Sequence, residues 1–285
     1  MRLFVFGPGY SGLALARRLQ AQGWDTAATA RNAAGRQALA AQRIEAVDPD
    51  DPAAMAAALG DCDAVLVTAP PTERGCPALS SISAALARAG GYPDWIGYLS
   101  TTGVYGDRGG RWVRETSRLA AQSVPGARRV AAERDWLDVG RGMGLTTTVF
   151  RLPGIYGPGR SAFDRLHDGT ARRVVRPGQV FSRIHVSDLA AALQASIERP
   201  RAGGIYNLCD DEPCPPEDVI TYAAMLLSVE PPPLIAYDPD AVSAASRRFF
   251  TESKRVSNAL AKAELGWRPV FATYREGLRE ILAES

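Results

Sequence analysis

The chain begins with an apolar run, Arg2-Leu3-Phe4-Val5-Phe6, followed by Gly7-Pro8-Gly9-Tyr10-Ser11-Gly12 and an alanine- and leucine-rich segment through Leu19. This pattern predicts a buried strand, a G-x-G-x-x-G turn and a helix. In such turns the first glycine permits the bend, the second lets the backbone approach a pyrophosphate, and the third lets helix and strand pack closely. The helix N-terminus favours negative charge. The stretch therefore predicts a dinucleotide site that includes Tyr10 and Ser11, with an ordinary glycine turn as the alternative.

A second strand, predicted over residues 25–30, delivers Arg31 about 20 positions after the last glycine. In dinucleotide folds an acidic residue at this distance binds the ribose 2′-hydroxyl, whereas an arginine accommodates a 2′-phosphate. Arg31 therefore predicts NADP rather than NAD, with a solvated arginine before the next helix as the alternative. Asp48 follows a short strand predicted over residues 44–47, where it would lie near the adenine edge or cap the helix that follows Pro52.

Strands and helices alternate through the first half of the chain. Further strands are predicted over residues 62–68, 95–99 and 145–151, and helices over residues 33–42, 79–89 and 126–139. This alternation predicts an α/β fold, a Rossmann-type doubly wound parallel sheet, with the ligand beyond the C-terminal ends of the strands. Ala69 and Pro70 follow one of these strands, and small residues there would let a cofactor pass.

The regular alternation weakens after Pro153, and prolines separate shorter elements. We therefore expect an NAD(P)-binding domain over residues 1–152 and a smaller C-terminal substrate lobe over residues 153–285. Residues 178–199, which include a predicted helix, are expected to pack back on the sheet of the first domain.

Composition excludes several classes of partner. The 285 residues are 46% hydrophobic, and 33 basic residues balance 31 acidic ones without a clustered basic run, so no nucleic-acid partner is indicated. No apolar run reaches the roughly 18 residues that a membrane span needs. The cysteines lack C-x-x-C spacing and the histidines lack the spacing of a zinc site, which predicts no metal and reduced thiols in the cytoplasm. These residues are Cys62, Cys76, Cys209, Cys214, His167 and His185.

Four motifs resemble one known superfamily, the extended and atypical short-chain dehydrogenases/reductases, in their NAD(P)-dependent epimerase/dehydratase branch. The resemblance covers essentially the whole chain. It implies an oxidoreductase, epimerase or dehydratase that acts on a small-molecule substrate, nucleotide-sugar-like or anionic, as a monomer or homodimer, with Pro153 on the nicotinamide side. The motifs are Ser100-Thr101-Thr102-Gly103-Val104-Tyr105-Gly106, Phe150-Arg151-Leu152-Pro153-Gly154-Ile155-Tyr156-Gly157-Pro158-Gly159, Arg183-Ile184-His185-Val186-Ser187-Asp188-Leu189-Ala190 and Glu264-Leu265-Gly266-Trp267-Arg268-Pro269.

The catalytic pair of that superfamily is broken in this chain. Its members use a tyrosine as acid or base, a lysine four positions later that holds the nicotinamide ribose, and an upstream Ser or Thr that polarises the substrate. Thr101 matches the hydroxyl position. Alignment of the following helix on Glu133 puts Arg129 at the lysine position and Pro125 at the tyrosine position, and no lysine precedes Lys254. Arg129 can bind ribose hydroxyls, but it cannot lose a proton at neutral pH.

Three other side chains could supply the proton, namely Tyr105, Tyr156 and His185, and each has a structural alternative as a packed or hydrogen-bonded residue. Two functions therefore stay open: an NADP-dependent oxidoreductase, epimerase or dehydratase of unknown substrate, and a non-catalytic NADP(H)-binding sensor or partner-binding protein.

Three further polar residues are singled out in the C-terminal lobe. Asp188 is expected to cap the helix that follows it. Arg160 and Arg183 either face an anionic substrate or pair with acidic neighbours, and the sequence does not separate these alternatives.

Overall fold

The computed structural model describes residues 1–240, 247 and 249–284. Its strands are β1 (Arg2–Phe6), β2 (Asp25–Thr29), β3 (Glu45–Val47), β4 (Ala64–Val67), β5 (Trp95–Thr101), β6 (Trp112–Val113), β7 (Thr147–Leu152), β8 (Gly154–Tyr156), β9 (Arg173–Val175), β10 (Arg183–His185), β11 (Ile205–Asn207), β12 (Leu234–Ala236) and β13 (Arg255–Val256). Its helices are α1 (Tyr10–Gln20), α2 (Ala33–Ala40), α3 (Pro52–Gly60), α4 (Pro77–Leu86), α5 (Val124–Met143), α6 (Ala162–His167), α7 (Val186–Glu198), α8 (Pro216–Leu226), α9 (Ala259–Leu265) and α10 (Tyr274–Ala283). A 3₁₀ turn covers Thr102–Tyr105.

The main sheet has seven parallel strands in the order β11-β7-β5-β4-β1-β2-β3, with helices on both faces. This confirms the predicted Rossmann-type α/β fold. The strand order reverses between β1 and β4, the position at which such sheets bind ligands. The sequence predicts six of these strands. The seventh, β11, has three residues, too few to display a strand period.

The first of two units in the chain comprises Met1–Thr101, Ala127–Arg151 and Ala190–Tyr206. Its central strands are buried along nearly their whole length, because helices cover both faces of a parallel sheet. The Trp95 indole donates a hydrogen bond of 3.0 Å to the Ser196 hydroxyl, so the C-terminal part of α7 is fastened to the sheet.

The second unit comprises Thr102–Gly126, Leu152–Leu189 and Asn207–Ser285 and contains a core of its own. Its strands form two-stranded parallel pairs, β10 with β8, β12 with β9 and β13 with β6. Residues 102–126 thus belong to the second unit and residues 190–206 to the first. The chain passes between the units more often than a single boundary near Pro153 implies.

The structure excludes one of the two alternatives for Asp48, the helix cap, and the cap predicted at Asp188 is wrong. Asp51, rather than Asp48, caps α3, because the Asp51 carboxylate accepts from the N–H groups of Ala53 and Ala54. The carboxylate of Asp48 instead accepts from Asp50 N–H at 3.0 Å.

Asp188 lies inside the first turn of α7, which begins at Val186, three residues earlier than a cap at Asp188 requires. Its buried carboxylate accepts from the N–H groups of Val270 and Phe271 at 2.8 and 3.0 Å. Asp188 therefore anchors the segment before α10. Within the described part of the chain, no helix combines the length and apolar character that crossing a bilayer requires.

Candidate functional site

The three glycines of the first turn have different surroundings. Gly7 has a φ of +80°, and a Cβ there would lie 2.9 Å from the Cβ of Ala69. A Cβ on Gly12 would lie 2.8 Å from a methyl group of Val5, so helix and strand pack closely at this point. For a Cβ on Gly9, the nearest atom would be the carbonyl oxygen of Gly7, at a distance of 4.0 Å. The backbone at Gly9 therefore faces open space that a side chain would enter.

Two threonine hydroxyls hold the peptide groups of Gly7. The Gly7 N–H donates to Thr29 Oγ1 at 2.9 Å, and Thr68 Oγ1 donates to the Gly7 carbonyl. Thr29 ends β2 and Thr68 follows β4, the two neighbours of β1 in the sheet. The turn is thus fixed from both sides, a feature that the sequence analysis missed.

A cavity of about 690 Å³ lies in the first unit, beyond the C-terminal ends of β1, β2 and β4. Five of the predicted cofactor residues line it, namely Gly7, Gly9, Arg31, Ala69 and Pro70, together with Leu13 of α1 and residues of α2. Tyr10, Ser11 and Gly12 form the first turn of α1 behind this lining, and Asp48 lies outside it.

The lining fits a dinucleotide. The space beside Gly9 leaves the backbone accessible to a pyrophosphate, and the first turn of α1 follows directly. Arg31 is exposed at the end of β2, and among the described residues no carboxylate lies within ion-pair distance of it. The cavity therefore offers a backbone cradle and a cation that is not neutralised by an ion pair.

The predicted catalytic residues Thr101 and Arg129 lie at the end of β5 and on α5. Thr101 is the last residue of β5 and is half-buried. The Arg129 guanidinium donates to the carbonyl of Leu99 and lies 5.8 Å from the ring centre of Tyr98. Arg129 is thus held against β5, and it does not line the cavity of the first unit.

A buried ion pair lies beneath the end of β5. Glu133, one turn after Arg129 on α5, accepts hydrogen bonds from Arg151 Nε at 3.1 Å and from Arg151 Nη2 at 2.8 Å. The Ser100 hydroxyl donates to the same carboxylate. Both charged side chains are only 3% exposed. The network ties α5 to β5 and β7, and neither partner can be removed without leaving a buried group unpaired.

Tyr105 and Pro153 belong to the second unit. The Tyr105 side chain has 0% exposure, and its hydroxyl donates to Asn207 Oδ1 at 2.7 Å. This hydrogen bond favours a structural role over proton donation. Pro153 is half-buried between β7 and β8.

The other two proton-donor candidates are also enclosed. The Tyr156 hydroxyl is buried against Gly277, where an added Cβ would come within 2.2 Å of it, and burial raises the pKa of Tyr156. His185 accepts through Nδ1 from Ser187 N–H at 3.3 Å, and burial lowers the pKa of His185 to about 4. Its imidazole is therefore neutral near pH 7. Neither geometry favours proton transfer to a substrate.

The family model described as "NAD dependent epimerase/dehydratase family" matches residues 4–209. The chain belongs to this family. Membership gives a nicotinamide dinucleotide as the cofactor and an oxidoreductase-type function at the level of the family.

Relatives match over most of the chain. Protein YeeZ from Escherichia coli strain K12 is 30% identical over 254 residues, which cover 81% of this chain and 85% of YeeZ. A functionally unknown conserved protein from Silicibacter pomeroyi has a solved structure that is 42% identical, with a TM-score of 0.91 and coverage of 100% of this chain and 99% of that one. The dTDP-glucose 4,6-dehydratase DesIV from Streptomyces venezuelae, solved with NAD and TYD bound, is 19% identical, with a TM-score of 0.77 and coverage of 98% and 96%. This last likeness shows the fold alone.

Proposed function

We propose that the chain binds NADP(H) beside its glycine turn and acts as an oxidoreductase, epimerase or dehydratase on a small-molecule substrate. The observation that carries the cofactor assignment is Arg31, which lines the cavity at the end of β2 with no acidic partner among the described residues. A guanidinium at this place forms charge-assisted hydrogen bonds with a 2′-phosphate. NAD carries a neutral 2′-hydroxyl at this position, so the Arg31 guanidinium would have no anionic partner there.

The bound nicotinamide would supply hydride chemistry, and the chain's own residues would position the reactants. Thr101 ends β5, and its hydroxyl can polarise a substrate oxygen. Arg129 contributes positive charge near the same strand end, but a guanidinium, unlike a lysine amine, does not serve as a general acid or base. We propose that turnover therefore proceeds without a tyrosine-lysine pair and is slow on the ordinary substrates of the family.

Replacement of Arg31 by Asp should reverse the cofactor preference, because a carboxylate repels the 2′-phosphate and accepts a hydrogen bond from the 2′-hydroxyl. Loss of a charge-assisted hydrogen bond worth about 1.5–3 kcal/mol predicts a loss of NADPH affinity of about tenfold or more. The measurement is fluorescence titration with NADPH and NADH. Arg36→Asp on α2 is the matched control, since Arg36 does not line the cavity. Equal wild-type affinity for both cofactors would refute the assignment.

A second candidate is an NADP(H)-binding sensor or partner-binding protein. It is favoured by Pro125, which is the second residue of α5 and has no ionisable group, and by the contact of Arg129 with a backbone carbonyl. NADPH oxidation measured over a panel of carbonyl compounds and nucleotide sugars separates the two. Tight binding without turnover supports the sensor, and turnover that is lost in Thr101→Val supports the enzyme.

The remaining proposals concern location and assembly. Cys62, Cys76, Cys209 and Cys214 are all buried free thiols, which supports a reducing compartment such as the cytoplasm. We propose a monomer or homodimer there.

A further inference from the structure

A second cavity, of about 530 Å³, lies wholly within the second unit. Residues of β8, α6, β10, α8 and α10 contribute to its wall. Among the described residues of its lining, three are arginines, namely Arg160, Arg165 and Arg183, and one, Asp164, is acidic. The lining therefore carries more basic than acidic side chains. Outside the lining, burial raises the pKa of the Asp210 carboxyl, and the charge of Arg183 opposes this rise.

The acidic residue is already engaged elsewhere. Asp164 accepts from the N–H and the hydroxyl of Ser161 at 2.6 and 2.7 Å, as the second half of a capping box on α6. These hydrogen bonds hold the pKa of Asp164 below its usual value despite the opposing effect of burial. Asp164 thus stabilises the start of α6 and does not pair with the arginines.

Arg165 and Arg183 present like charges to the same cavity. Within the described residues, no carboxylate lies within ion-pair distance of either guanidinium. Although Arg165 as a whole residue is exposed, partial desolvation of its guanidinium lowers the pKa of Arg165, and the charge of Arg183 lowers it further. Arg183 donates to the Cys214 thiol at 2.7 Å and lies over the ring of Tyr274, which leaves most of its donors for another partner. An anion between the two guanidinium groups would relieve their repulsion.

Part of the remaining wall is apolar and includes a pair of stacked aromatic rings. The rings of Phe181 and Phe249 stack with centroids 3.9 Å apart and an angle of 17° between their planes. Ile155, Val219 and Leu278 complete this part of the lining. Such a surface suits a planar apolar body, since aromatic side chains favour offset stacking.

The polar groups other than the arginines are poorly placed to bind sugar hydroxyls. Ser161 pairs with Asp164, Ser182 Oγ accepts from Val256 N–H at 3.0 Å, and the Tyr156 hydroxyl is buried. A sugar would bring several hydroxyls that need partners, and buried polar groups left unpaired weaken binding strongly. The wall therefore favours an apolar anion over a nucleotide sugar.

We propose that this cavity binds an organic monoanion with a planar apolar body, an aromatic or conjugated carboxylate. Arg165 and Arg183 hold the carboxylate, and the Phe181–Phe249 face receives the body.

The test is calorimetric titration of the full chain, with and without NADPH, against benzoate, cinnamate, cinnamamide and UDP-glucose. Cinnamate or benzoate should bind, and the neutral cinnamamide should bind at least about tenfold more weakly, because it lacks the charge that pairs with arginine. Arg165→Gln should weaken carboxylate binding by a similar factor. Arg279→Gln is the matched control, because Arg279 is exposed on α10 outside the cavity.

NADPH affinity should be unchanged in Arg165→Gln and Arg279→Gln. A failure of the cofactor assignment would appear in NADPH binding, whereas a failure of this proposal would appear in carboxylate binding. Equal binding of cinnamate and cinnamamide, no effect of Arg165→Gln, or no binding by either carboxylate would overturn the proposal. Tighter binding of UDP-glucose than of both carboxylates would also overturn it, in favour of a nucleotide-sugar site.

Discussion

The Gly7 peptide shows how single residues shape the cofactor site. Thr68→Val has nearly the same volume but removes the hydrogen bond to the Gly7 carbonyl. A net hydrogen bond is worth about 0.5–1.5 kcal/mol, so NADPH binding should weaken by about two- to twelvefold as the turn loses its order. Fluorescence titration measures this effect.

Thr68→Ser retains the hydroxyl and is the matched variant, which should restore most of the affinity. Thermal unfolding of both variants separates a local effect on the turn from a general loss of stability. Wild-type affinity in Thr68→Val would show that the hydroxyl does not organise the turn.

For single residues, the sequence predicted those positions that depend only on spacing along the chain. Gly7, Gly9 and Arg31 line the cavity because the motif and the strand length place them there. Thr29 and Thr68 escaped prediction because their role depends on the register between strands, in which Phe6 pairs with Val67. A threonine at the end of a strand is otherwise unremarkable.

Helix α5 depends on a buried charge for its attachment to the sheet. Glu133→Gln would leave Arg151 buried without a counter-charge, which should cost about 3–5 kcal/mol of the free energy of unfolding. Asp138→Asn on the same helix is the control, because its pair with Arg141 is exposed and should contribute about 0–1 kcal/mol. Urea denaturation compares the two, and equal losses would contradict this account.

Long elements were predictable and short ones were not. The strands from β1 to β7 that belong to the main sheet and helices α1 to α5 were all foreseen, although α5 starts at Val124 rather than Gly126. Strands of two or three residues, such as β6, β9 and β12, show no period, and their pairing depends on distant partners. The candidate proton donors were uncertain for the same reason, since the bond between Tyr105 and Asn207 joins distant parts of the sequence.

Each of the two units is built from three separate segments of the chain, so no single cut in the sequence separates them. The first unit includes residues 190–206, and the sequence predicts a first domain over residues 1–152 with a return of residues 178–199 to its sheet. The helical pattern indicates this return, but strand β11 has three residues, too few to display a strand period. The place of this strand becomes visible through pairing, such as the bond of 2.8 Å from Val149 N–H to the Gly204 carbonyl.

This late return has a consequence during synthesis on the ribosome. Strand β7 emerges well before β11, so one edge of the nascent sheet stays open while the intervening residues are translated. Open strand edges template intermolecular pairing. A chain truncated after residue 152 should therefore self-associate in size-exclusion chromatography, whereas one that extends to residue 210 retains β11 and should do so less. Equal association of both truncations would argue against edge exposure as the cause, and a chaperone that covers β7 would have its greatest effect during this interval of translation.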